Sequence, residues 1–459
     1  NRSDWLSMMY SRLKLARNLL ADDGVLFISI DEKEVFNLQK ICDEVFGSVN
    51  HVENFHIQVR YANKSLNEDS DFQRVMEYVL IYCKDSNEFV PNKPHEPYDL
   101  SKFIFSIEEI GKGEEIFIGN KKVTVFKDKE WKIKKHSQAR LGLLKETWAS
   151  GSLINQSGSA SEFLAKYLID RKPLDGLGVL YKIDNMGEDG LGFRYVTGPQ
   201  KEDAIRGKFY SGVPLERQEE MRLGVSKKYR PIVNFYDFSA DFGNIRNEGG
   251  IAFNSGKKPV KLLMQLMDIA NLDENSIILD FFAGSSTTAH AVMQANAIEQ
   301  VNRKFIMVQI NEQINKDKQK EAFNFCMENR LPTTIAEISK ERIRRAGAKI
   351  KADNADKDGI NELDTGFRVL KIDTTNMNDI YYRPQDYSQD LLHQLENNIK
   401  EDRSDEDLLF QFMLDTGVPL SLPIERTTIN GHTIYQVGGN SLIASLDYID
   451  ANMVNDIAA

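Results

Sequence analysis

Residues 277–289 read IILDFFAGSSTTA, a short apolar run that ends in Asp280 and is followed by small residues and the start of a helix. A strand, a loop of small residues and a helix in this order let backbone N–H groups approach a ligand at the carboxyl edge of a parallel sheet. Small residues are needed because a Cβ atom would occupy the ligand's space. The stretch lacks the three-glycine dinucleotide fingerprint and the Gly-Lys-Thr of a phosphate-binding loop, which argues against nicotinamide and ATP. The pattern alone fits both a ligand-binding loop and a purely structural turn.

Helices and strands alternate on both sides of this stretch. Apolar residues at helical spacing alternate with β-rich runs in the first ninety residues and again from about residue 257. We interpret Val25–Ile30, which is apolar on both faces, as a buried parallel strand. The predicted helices lie at 4–20, 31–47, 258–270 and 334–351, and the predicted strands at 25–30, 75–83, 277–280 and 305–310. This alternation predicts a doubly wound α/β fold.

The alternation breaks down between about residues 90 and 250, where short strands, charged stretches and small-residue loops indicate an inserted module. Near the C-terminus, helices are predicted at about 386–400 and 404–415, and Asn430-Gly431 between two β-rich runs predicts a hairpin with a type I′ turn. We therefore divide the chain into a first part of the core (1–90), an insert (91–250), a second part of the core (251–351) and a small acidic C-terminal α+β domain (352–459).

The charge of the chain is unevenly distributed. The chain carries 58 basic and 69 acidic residues, a net charge of −11. From Lys351 to Ala459 there are 8 basic and 20 acidic residues, so residues 1–350 carry a net charge of +1. Within the insert, basic side chains and an interleaved tryptophan form a candidate phosphate-binding strip, which comprises Lys121, Lys122, Lys127, Lys129, Trp131, Lys132, Lys134, Lys135 and Arg140. A solvated charged face is the other interpretation of this run.

Composition excludes several classes of protein. The 459 residues are 41% hydrophobic and 28% charged, which is enough to bury the cores of more than one domain. No apolar run reaches the roughly 18 residues of a membrane span, so we expect no membrane association. Three cysteines cannot form a disulfide framework, which fits a reducing cytoplasm, and the seven histidines show no metal-binding spacing. Because the chain begins at Asn1 inside a helical pattern, we expect it to be a fragment of a longer protein.

Two motifs of the chain resemble those of a known enzyme family. Leu279–Thr288 resembles the cofactor loop of S-adenosylmethionine-dependent amino-methyltransferases that act on DNA, whose usual form is Leu-Asp-Pro-Phe-Ala-Gly-Ser-Gly-Thr-Thr. Phe281 stands in place of the proline, and Ser286 in place of the second glycine. Gly256–Pro259 and the helix that follows resemble the motif that precedes this loop in the group where the loop comes late in the chain.

The resemblance narrows to the modification subunits of type III restriction-modification systems. The stretches whose sequences resemble those of these subunits lie at 3–17, 23–31, 198–214, 243–250 and 341–347. The resemblance implies a Rossmann-like methyltransferase fold with permuted motif order, an inserted target-recognition domain and a C-terminal domain for subunit contacts. The implied reaction is transfer of a methyl group to adenine N6 in double-stranded DNA. The implied partners are a second modification subunit, which would form a homodimer, and a separate ATP-dependent restriction subunit.

The resemblance also implies roles for particular residues. Phe282 and Gly284 would line the methionine and adenosine portions of S-adenosylmethionine, and Glu312 would accept hydrogen bonds from its ribose hydroxyls. Tyr61 and Asn63 would help to wall the pocket for the flipped base. The full set of implied cofactor residues is Lys258, Pro259, Asp280, Phe282, Gly284, Ser286, Thr287 and Glu312.

The catalytic motif of this family, Asp-Pro-Pro-Tyr or a close relative, is not found in the chain, which contains no Pro-Pro pair. Glu96-Pro97-Tyr98 lies in a polar loop instead of after a buried strand, so we reject it as a copy. In the late-loop order this motif would precede Asn1, and we expect the fragment alone to be inactive. The alternatives are a non-catalytic DNA-recognition or scaffold subunit, a cytosine N4 methyltransferase, and a Rossmann-like enzyme that uses another nucleotide cofactor.

Overall fold

The computed structural model describes residues 2–64, 71–148, 159–253, 256–378, 398–439, 441–447 and 451–458. The chain forms two compact units, Asn1–Gly366 and Phe367–Ala459. The strands of the first unit are β1 (Val25–Ile30), β2 (His51–Gln58), β3 (Met76–Cys83), β4 (His95–Pro97), β5 (Phe103–Glu109), β6 (Glu114–Ile118), β7 (Lys121–Phe126), β8 (Trp131–Lys135), β9 (Leu144–Trp148), β10 (Leu180–Asp184), β11 (Phe193–Thr197), β12 (Lys208–Ser211), β13 (Lys227–Tyr229), β14 (Phe235–Asp237), β15 (Ile277–Asp280) and β16 (Lys304–Met307). Its helices are α1 (Arg2–Leu19), α2 (Val35–Phe46), α3 (Ser159–Phe163), α4 (Lys172–Asp175), α5 (Leu215–Arg222), α6 (Ser239–Gly243), α7 (Val260–Ile269), α8 (Thr287–Glu299), α9 (Lys320–Glu328) and α10 (Ile335–Asp353).

A four-stranded sheet in the order β1-β3-β2-β14 lies between helices. Apolar side chains of α1 and α2 pack on one of its faces, and those of α7 pack on the other. β1 and β2 run antiparallel to β3, and β14 runs parallel to β2. The expectation that residues 25–30 form a parallel strand is therefore wrong. A strand that is apolar on both faces is expected to be covered on both faces. This pattern does not indicate whether the neighbouring strand is parallel or antiparallel.

The insert forms an antiparallel eight-stranded sheet in the order β6-β7-β10-β11-β12-β9-β5-β8. One face packs on helical residues of the segment 159–169. On the other face, Phe126 of β7 and Trp131 of β8 belong to one apolar cluster with Tyr195 and Tyr210. Because β7 and β8 lie near opposite ends of the sheet order, their packing together means that the sheet curls on itself.

A separate parallel pair, β15 and β16, carries the stretch of small residues at its carboxyl edge. The predicted strand at 277–280 and the predicted helix that begins near 258 are confirmed by β15 and α7. Among the described residues, β1 and β15 are each the last strand of their sheet. Ile277, the first residue of β15, is 60% exposed.

The second unit is a small α+β structure. It contains α11 (Asp405–Thr416), α12 (Ala451–Ala458) and a three-stranded sheet of β17 (Ile424–Ile429), β18 (His432–Val437) and β19 (Leu442–Ala444). Asn430 and Gly431 both have positive φ, 51° and 85°, which confirms the predicted type I′ turn. α11 confirms the predicted helix at 404–415. The helix predicted at 386–400 falls largely on residues 379–397, which lie outside the described part of the chain.

Candidate functional site

The loop between β15 and α8 is closed by Asp280. One carboxylate oxygen accepts a hydrogen bond from the backbone N–H of Phe282 at 3.1 Å, and the other accepts from the Thr288 hydroxyl at 2.6 Å. The Asp280 side chain therefore joins the two ends of the loop. An aspartate at the end of the strand has this effect because its short side chain can reach backbone and hydroxyl donors on the residues that follow.

Gly284 gives the loop its open side. Its φ is +53°, and the nearest heavy atom to a Cβ built at this position would be 3.9 Å away, at the Phe282 carbonyl oxygen. A Cβ atom here would thus make only one ordinary van der Waals contact, so the protein leaves the space beside Gly284 largely unfilled. Next to it, the Phe282 side chain is 52% exposed. An exposed aromatic ring beside an unfilled backbone turn can hold a planar ligand by stacking.

Gln309 is a loop contact that sequence reasoning missed. Its side-chain carbonyl oxygen accepts a hydrogen bond from the backbone N–H of Gly284 at 2.7 Å. The parallel pairing of Asp280 with Met307 brings the end of β16 alongside the loop, and Gln309 follows two residues later. The only sequence signal is a polar residue directly after a predicted strand, which is too common to be specific.

The second half of the loop faces the protein interior. Ser286 is fully buried in a left-handed conformation with φ 55°, and its hydroxyl contacts that of Ser339 on α10. Ser285 and Thr287 are also buried, and both accept hydrogen bonds from the Arg342 guanidinium, at 2.9 and 2.7 Å. Serine in place of the family's second glycine is thus accommodated by a buried hydroxyl contact. The solvent-accessible part of the loop is limited to its first half.

Arg342 and Glu248 are the main contacts beneath the loop, and neither had a predicted role. The fully buried guanidinium donates to Glu248 at 3.0 Å, and the same carboxylate accepts from the backbone N–H of Val260 at the start of α7. Gly249 permits this approach, because a Cβ at its φ of +76° would lie 2.7 Å from the Arg342 Nε atom. The pair therefore connects the loop after β15 to the N-terminus of α7.

Two further ionisable groups lie around this ion pair. The buried Lys257 ammonium donates to the backbone carbonyl of Glu248 at 2.6 Å, and burial together with nearby Arg342 lowers its pKa to about 8. Burial, Arg342 and Lys257 lower the pKa of His290 to about 4. His290 is therefore neutral at pH 7, and its Nδ1 atom is buried with no hydrogen-bond partner among the described residues.

The remaining predicted cofactor residues lie at the start of α7 and beyond β16. Pro259 is the N-cap of α7. The Lys258 ammonium is 2.7 Å from the Glu77 carboxylate of β3 and lies over the Phe242 ring at 5.9 Å. Glu312 is exposed, and its backbone carbonyl accepts from Ile335, the first residue of α10. Its side chain is thus accessible to a ligand.

The predicted base-pocket residues lie in the loop after β2. Tyr61 is 38% exposed, the Lys64 ammonium lies 4.4 Å from its ring centroid, and Gly243 approaches the ring edge. Asn63 is exposed nearby. Because Gly243 follows Phe242, which underlies Lys258, this loop and the start of α7 border the same region of the molecule.

The predicted phosphate-binding strip is divided between two strands. Lys121 and Lys122 lie on β7, Trp131 to Lys135 form β8, Lys127 and Lys129 lie in the turn between them, and Arg140 lies in the loop after β8. The lysines at and near β7 have partners within the protein: Lys121 donates to Asn185 at 2.6 Å, Lys122 pairs with Glu115 at 2.7 Å and Lys127 lies 3.8 Å from Asp175. The Trp131 indole donates to Gly178 at 2.9 Å. Lys132, Lys134 and Lys135 are exposed and form no ion pair with the described residues.

Other kinds of site receive no support from the described residues. They contain no cluster of His, Cys, Asp and Glu side chains suited to a metal ion. Cys42, Cys83 and Cys326 are buried free thiols, and burial raises the pKa of each. A helix long and apolar enough to cross a bilayer is also absent from this part of the chain.

Comparison with known proteins identifies the family of this chain. The model of the N6/N4 methyltransferase family, described as DNA methylase, matches residues 1–320. The chain is 29% identical over 384 residues to the StyLTI Mod subunit, a type III restriction-modification enzyme of Salmonella typhimurium, and the match covers 81% of this chain and 49% of that protein. It is 27% identical to the EcoPI Mod subunit of Escherichia phage P1 and 25% identical to the EcoP15I Mod subunit of Escherichia coli, each over 96% of this chain.

The chain spans 49% of the length of the first of these relatives and 63% of the other two. The loop after β15 and the start of α7 both lie within the residues that the family model covers. The chain therefore belongs to the N6/N4 DNA methylase family, and its homologues include the Mod subunits of type III restriction-modification enzymes.

Proposed function

We propose that the protein transfers a methyl group from S-adenosylmethionine to adenine N6 in double-stranded DNA, as the modification and recognition subunit of a type III restriction-modification system. The observation that carries this proposal is the loop after β15, whose open side is formed by Gly284 and the exposed ring of Phe282. Membership in a DNA methylase family makes S-adenosylmethionine the ligand that this loop is expected to take. The fold would then be the Rossmann-like methyltransferase fold with permuted motif order.

The residues around the loop fit this cofactor. Phe282 can stack on a planar ring, Gly284 leaves room for close approach of the ligand, and the exposed Glu312 can accept hydrogen bonds from ribose hydroxyls. Lys258 and Pro259 would lie near the amino-acid end of the cofactor at the start of α7. When bound, the cofactor supplies an electrophilic methyl group. The side chains of Ser286 and Thr287 would act from beneath, by fixing the shape of the loop.

The groups that would hold the target base come from two places. Tyr61 and Asn63 would wall a pocket for a base flipped out of the duplex. The chain has no Pro-Pro pair, so the acceptor-binding motif of the family is not in its sequence. We propose that this motif belongs to a further strand, because β1 and β15 each end a sheet among the described residues and offer an edge for pairing. Tests of activity therefore require the full-length protein.

Gly284→Asp tests the cofactor assignment. In the full-length protein we expect this substitution to abolish binding of S-adenosylmethionine measured by calorimetry, because the new side chain would fill the space that the ligand needs. Gly359→Asp is the matched control, since Gly359 also has positive φ, +76°, and a Cβ atom there would have no heavy atom within 4 Å. Both variants carry a similar backbone strain of about 1 kcal/mol. Unchanged affinity in Gly284→Asp would refute the assignment, and equal loss in both variants would indicate an effect through folding.

DNA recognition is proposed for the insert. The β8 lysines Lys132, Lys134 and Lys135 are exposed and unpaired among the described residues, and alternate side chains of a strand repeat at about 6.7 Å. Lys132 and Lys134 share one face of the strand at this spacing, which spans about two steps of the roughly 3.4 Å rise along one DNA strand, whereas Lys135 lies on the other face. Lys129 and Arg140 flank β8 and would extend the same basic surface, whereas Lys121, Lys122 and Lys127 are held by contacts within the protein.

Cytosine N4 methylation is the second candidate, because the matching family model covers both N6 and N4 enzymes. The two reactions use the same cofactor and differ in the base that the acceptor pocket holds. Mass spectrometry of nucleosides from DNA methylated by the full-length protein separates them. N6-methyladenine supports the proposal, and N4-methylcytosine would replace it.

A further inference from the structure

We propose that Arg342 and Glu248 are positioning residues for the cofactor site, so that cofactor affinity depends on this ion pair separately from the stability of the fold. This inference rests on the proposed cofactor site. Neither residue would touch the ligand. Both would act through the loop residues Ser285 and Thr287 and through the first turn of α7.

The geometry gives Arg342 a specific set of partners. Its side chain is fully buried, and one terminal nitrogen donates to the hydroxyls of Ser285 and Thr287 at 2.9 and 2.7 Å. The other terminal nitrogen donates to Glu248 at 3.0 Å. A planar guanidinium can hold three acceptors in fixed directions, which a single ammonium cannot do. Arg342 therefore holds two residues of the path from the loop into α8, Ser285 just before the N-cap and Thr287 at the first helical position.

Glu248 extends this connection to the other side of the predicted site. Its two carboxylate oxygens lie 3.1 and 3.3 Å from the backbone nitrogen of Val260, the first residue of α7. A carboxylate at this position satisfies an unpaired N–H group and interacts favourably with the positive end of the helix. Lys258, two residues earlier, is the predicted contact for the amino-acid end of the cofactor. The ion pair thus links the two ends of the proposed ligand site.

The charge balance shows that the pair is not a generic stabilising contact. Arg342 and Lys257 are two buried cations that Glu248 contacts in different ways: its carboxylate accepts a hydrogen bond from Arg342, and its backbone carbonyl accepts one from Lys257. The Nε atom of Arg342 has no hydrogen-bond partner among the described residues. Burying an ion pair costs about as much as its attraction returns, so replacing the whole pair with neutral side chains is often neutral or stabilising. Stability alone does not explain this arrangement, whereas the fixed geometry of Ser285 and Thr287 does.

The test compares cofactor affinity with stability in matched variants of the full-length protein. Arg342→Met removes both hydroxyl contacts and leaves Glu248 without its cation. Arg342→Met/Glu248→Gln also removes the remaining charge of the pair, which should return the urea midpoint toward that of the unmodified protein. If the pair positions the loop, the dissociation constant for S-adenosylhomocysteine, measured by calorimetry, rises about tenfold or more in both variants, which corresponds to the loss of roughly one or two buried hydrogen bonds.

Two further variants keep the result interpretable. Arg342→Lys retains the charge and the fold but can reach fewer acceptors, and we expect affinity to fall several-fold while the urea midpoint changes little. Arg345→Ala is the matched control on the same helix, since Arg345 contacts Gly250 and Asn329 but none of the loop residues 283–288. It should lower stability and leave cofactor affinity unchanged.

The outcomes separate this inference from the function on which it rests. If the double variant regains affinity together with stability, or if Arg342→Met binds the ligand normally, the pair acts only through folding and the inference is wrong. If the unmodified full-length protein binds neither S-adenosylmethionine nor S-adenosylhomocysteine, the proposed function fails first and the inference fails with it. Binding to a DNA duplex, measured in parallel, should be unchanged in Arg342→Met.

Discussion

At the level of single residues, the chemistry beneath the loop after β15 depends on which charges are buried together. Arg342 and Lys257 both lie in the interior, and burial lowers the pKa of Lys257 to about 8. His290, one turn into α8, faces the same two cations. A third positive charge would be repelled there, so His290 stays neutral and its buried Nδ1 atom lacks a partner among the described residues. The surroundings of the loop thus disfavour the protonated form of His290.

His290 should make the fold sensitive to acid. Burial and the nearby Arg342 and Lys257 lower its pKa from 6.5 to about 4, so the unfolded chain takes up a proton in this range before the native state does. The stability that this difference contributes is fully present above pH 6.5 and is lost as the pH falls toward 4. His290→Gln should therefore reduce the loss of unfolding free energy between pH 7 and 4.5 by about 2 to 3 kcal/mol. Urea unfolding of both proteins at pH 7 and at pH 4.5 measures this difference in unfolding free energy. If the unfolding free energy falls equally in both proteins, the prediction is wrong.

At the scale of secondary structure, the insert separates two groups of lysines that are continuous in the sequence. β7 is the second strand of the eight-stranded sheet, and the lysines at and after it contact Asn185, Glu115 and Asp175. β8 is the last strand of that sheet, and four of its five side chains are exposed. An edge strand rich in lysine resists pairing with other sheets, and it also presents its charges to an approaching polyanion.

This division predicts different effects of charge reversal on the two strands. Lys132→Glu/Lys134→Glu/Lys135→Glu should weaken binding to a DNA duplex and reduce the salt dependence of the binding constant by up to about three units of slope, roughly one for each phosphate that the variant no longer neutralises. Lys121→Glu/Lys122→Glu/Lys127→Glu changes the same number of charges and should have a much smaller effect on the slope. Fluorescence anisotropy at several salt concentrations distinguishes them. Equal slopes in the two variants would mean that net charge alone determines binding.

Some of the helices and strands could be predicted from the sequence, and others could not. β15, α7, α10 and the hairpin at Asn430-Gly431 follow from local periodicity and turn residues, and the structure confirms them. The antiparallel direction of β1 was missed because it depends on β3, about fifty residues away, and not on the apolar pattern of β1 itself. The partition of the lysines also depends on acidic partners from other strands.

The contact between Arg342 and Glu248 joins residues 94 positions apart, and no local pattern encodes it. Both residues lie in stretches that resemble the family, but the resemblance implies no role for either of them. Gly249 was the available signal. A glycine at positive φ can permit close approach of another side chain, and here a Cβ atom would lie 2.7 Å from Arg342. The sequence does not show which side chain approaches Gly249, so this glycine could not be distinguished from the other glycines of the chain.

At the scale of the whole molecule, charge and compact units coincide. Residues 367–459 contain 6 basic and 15 acidic residues, a net charge of −9, whereas residues 1–366 carry 52 basic and 54 acidic residues. An acidic unit is unsuited to contact phosphates, and we propose that it provides the contacts with the other subunits of a restriction-modification assembly. The candidate cofactor site and the lysines of β8 all belong to the first unit.

Deletion of residues 367–459 from the full-length protein tests this division of roles. Because the first unit has its own cores and contains both proposed binding sites, the deletion variant should keep its affinity for S-adenosylhomocysteine and the salt dependence of its DNA binding. It should lose association with the ATP-dependent restriction subunit, measured by analytical ultracentrifugation of the purified proteins. DNA affinity should stay the same or rise slightly, since a net charge of −9 that repels the duplex has been removed. A smaller salt slope would place phosphate contacts in the second unit, and retained association would assign the subunit interface to residues 1–366.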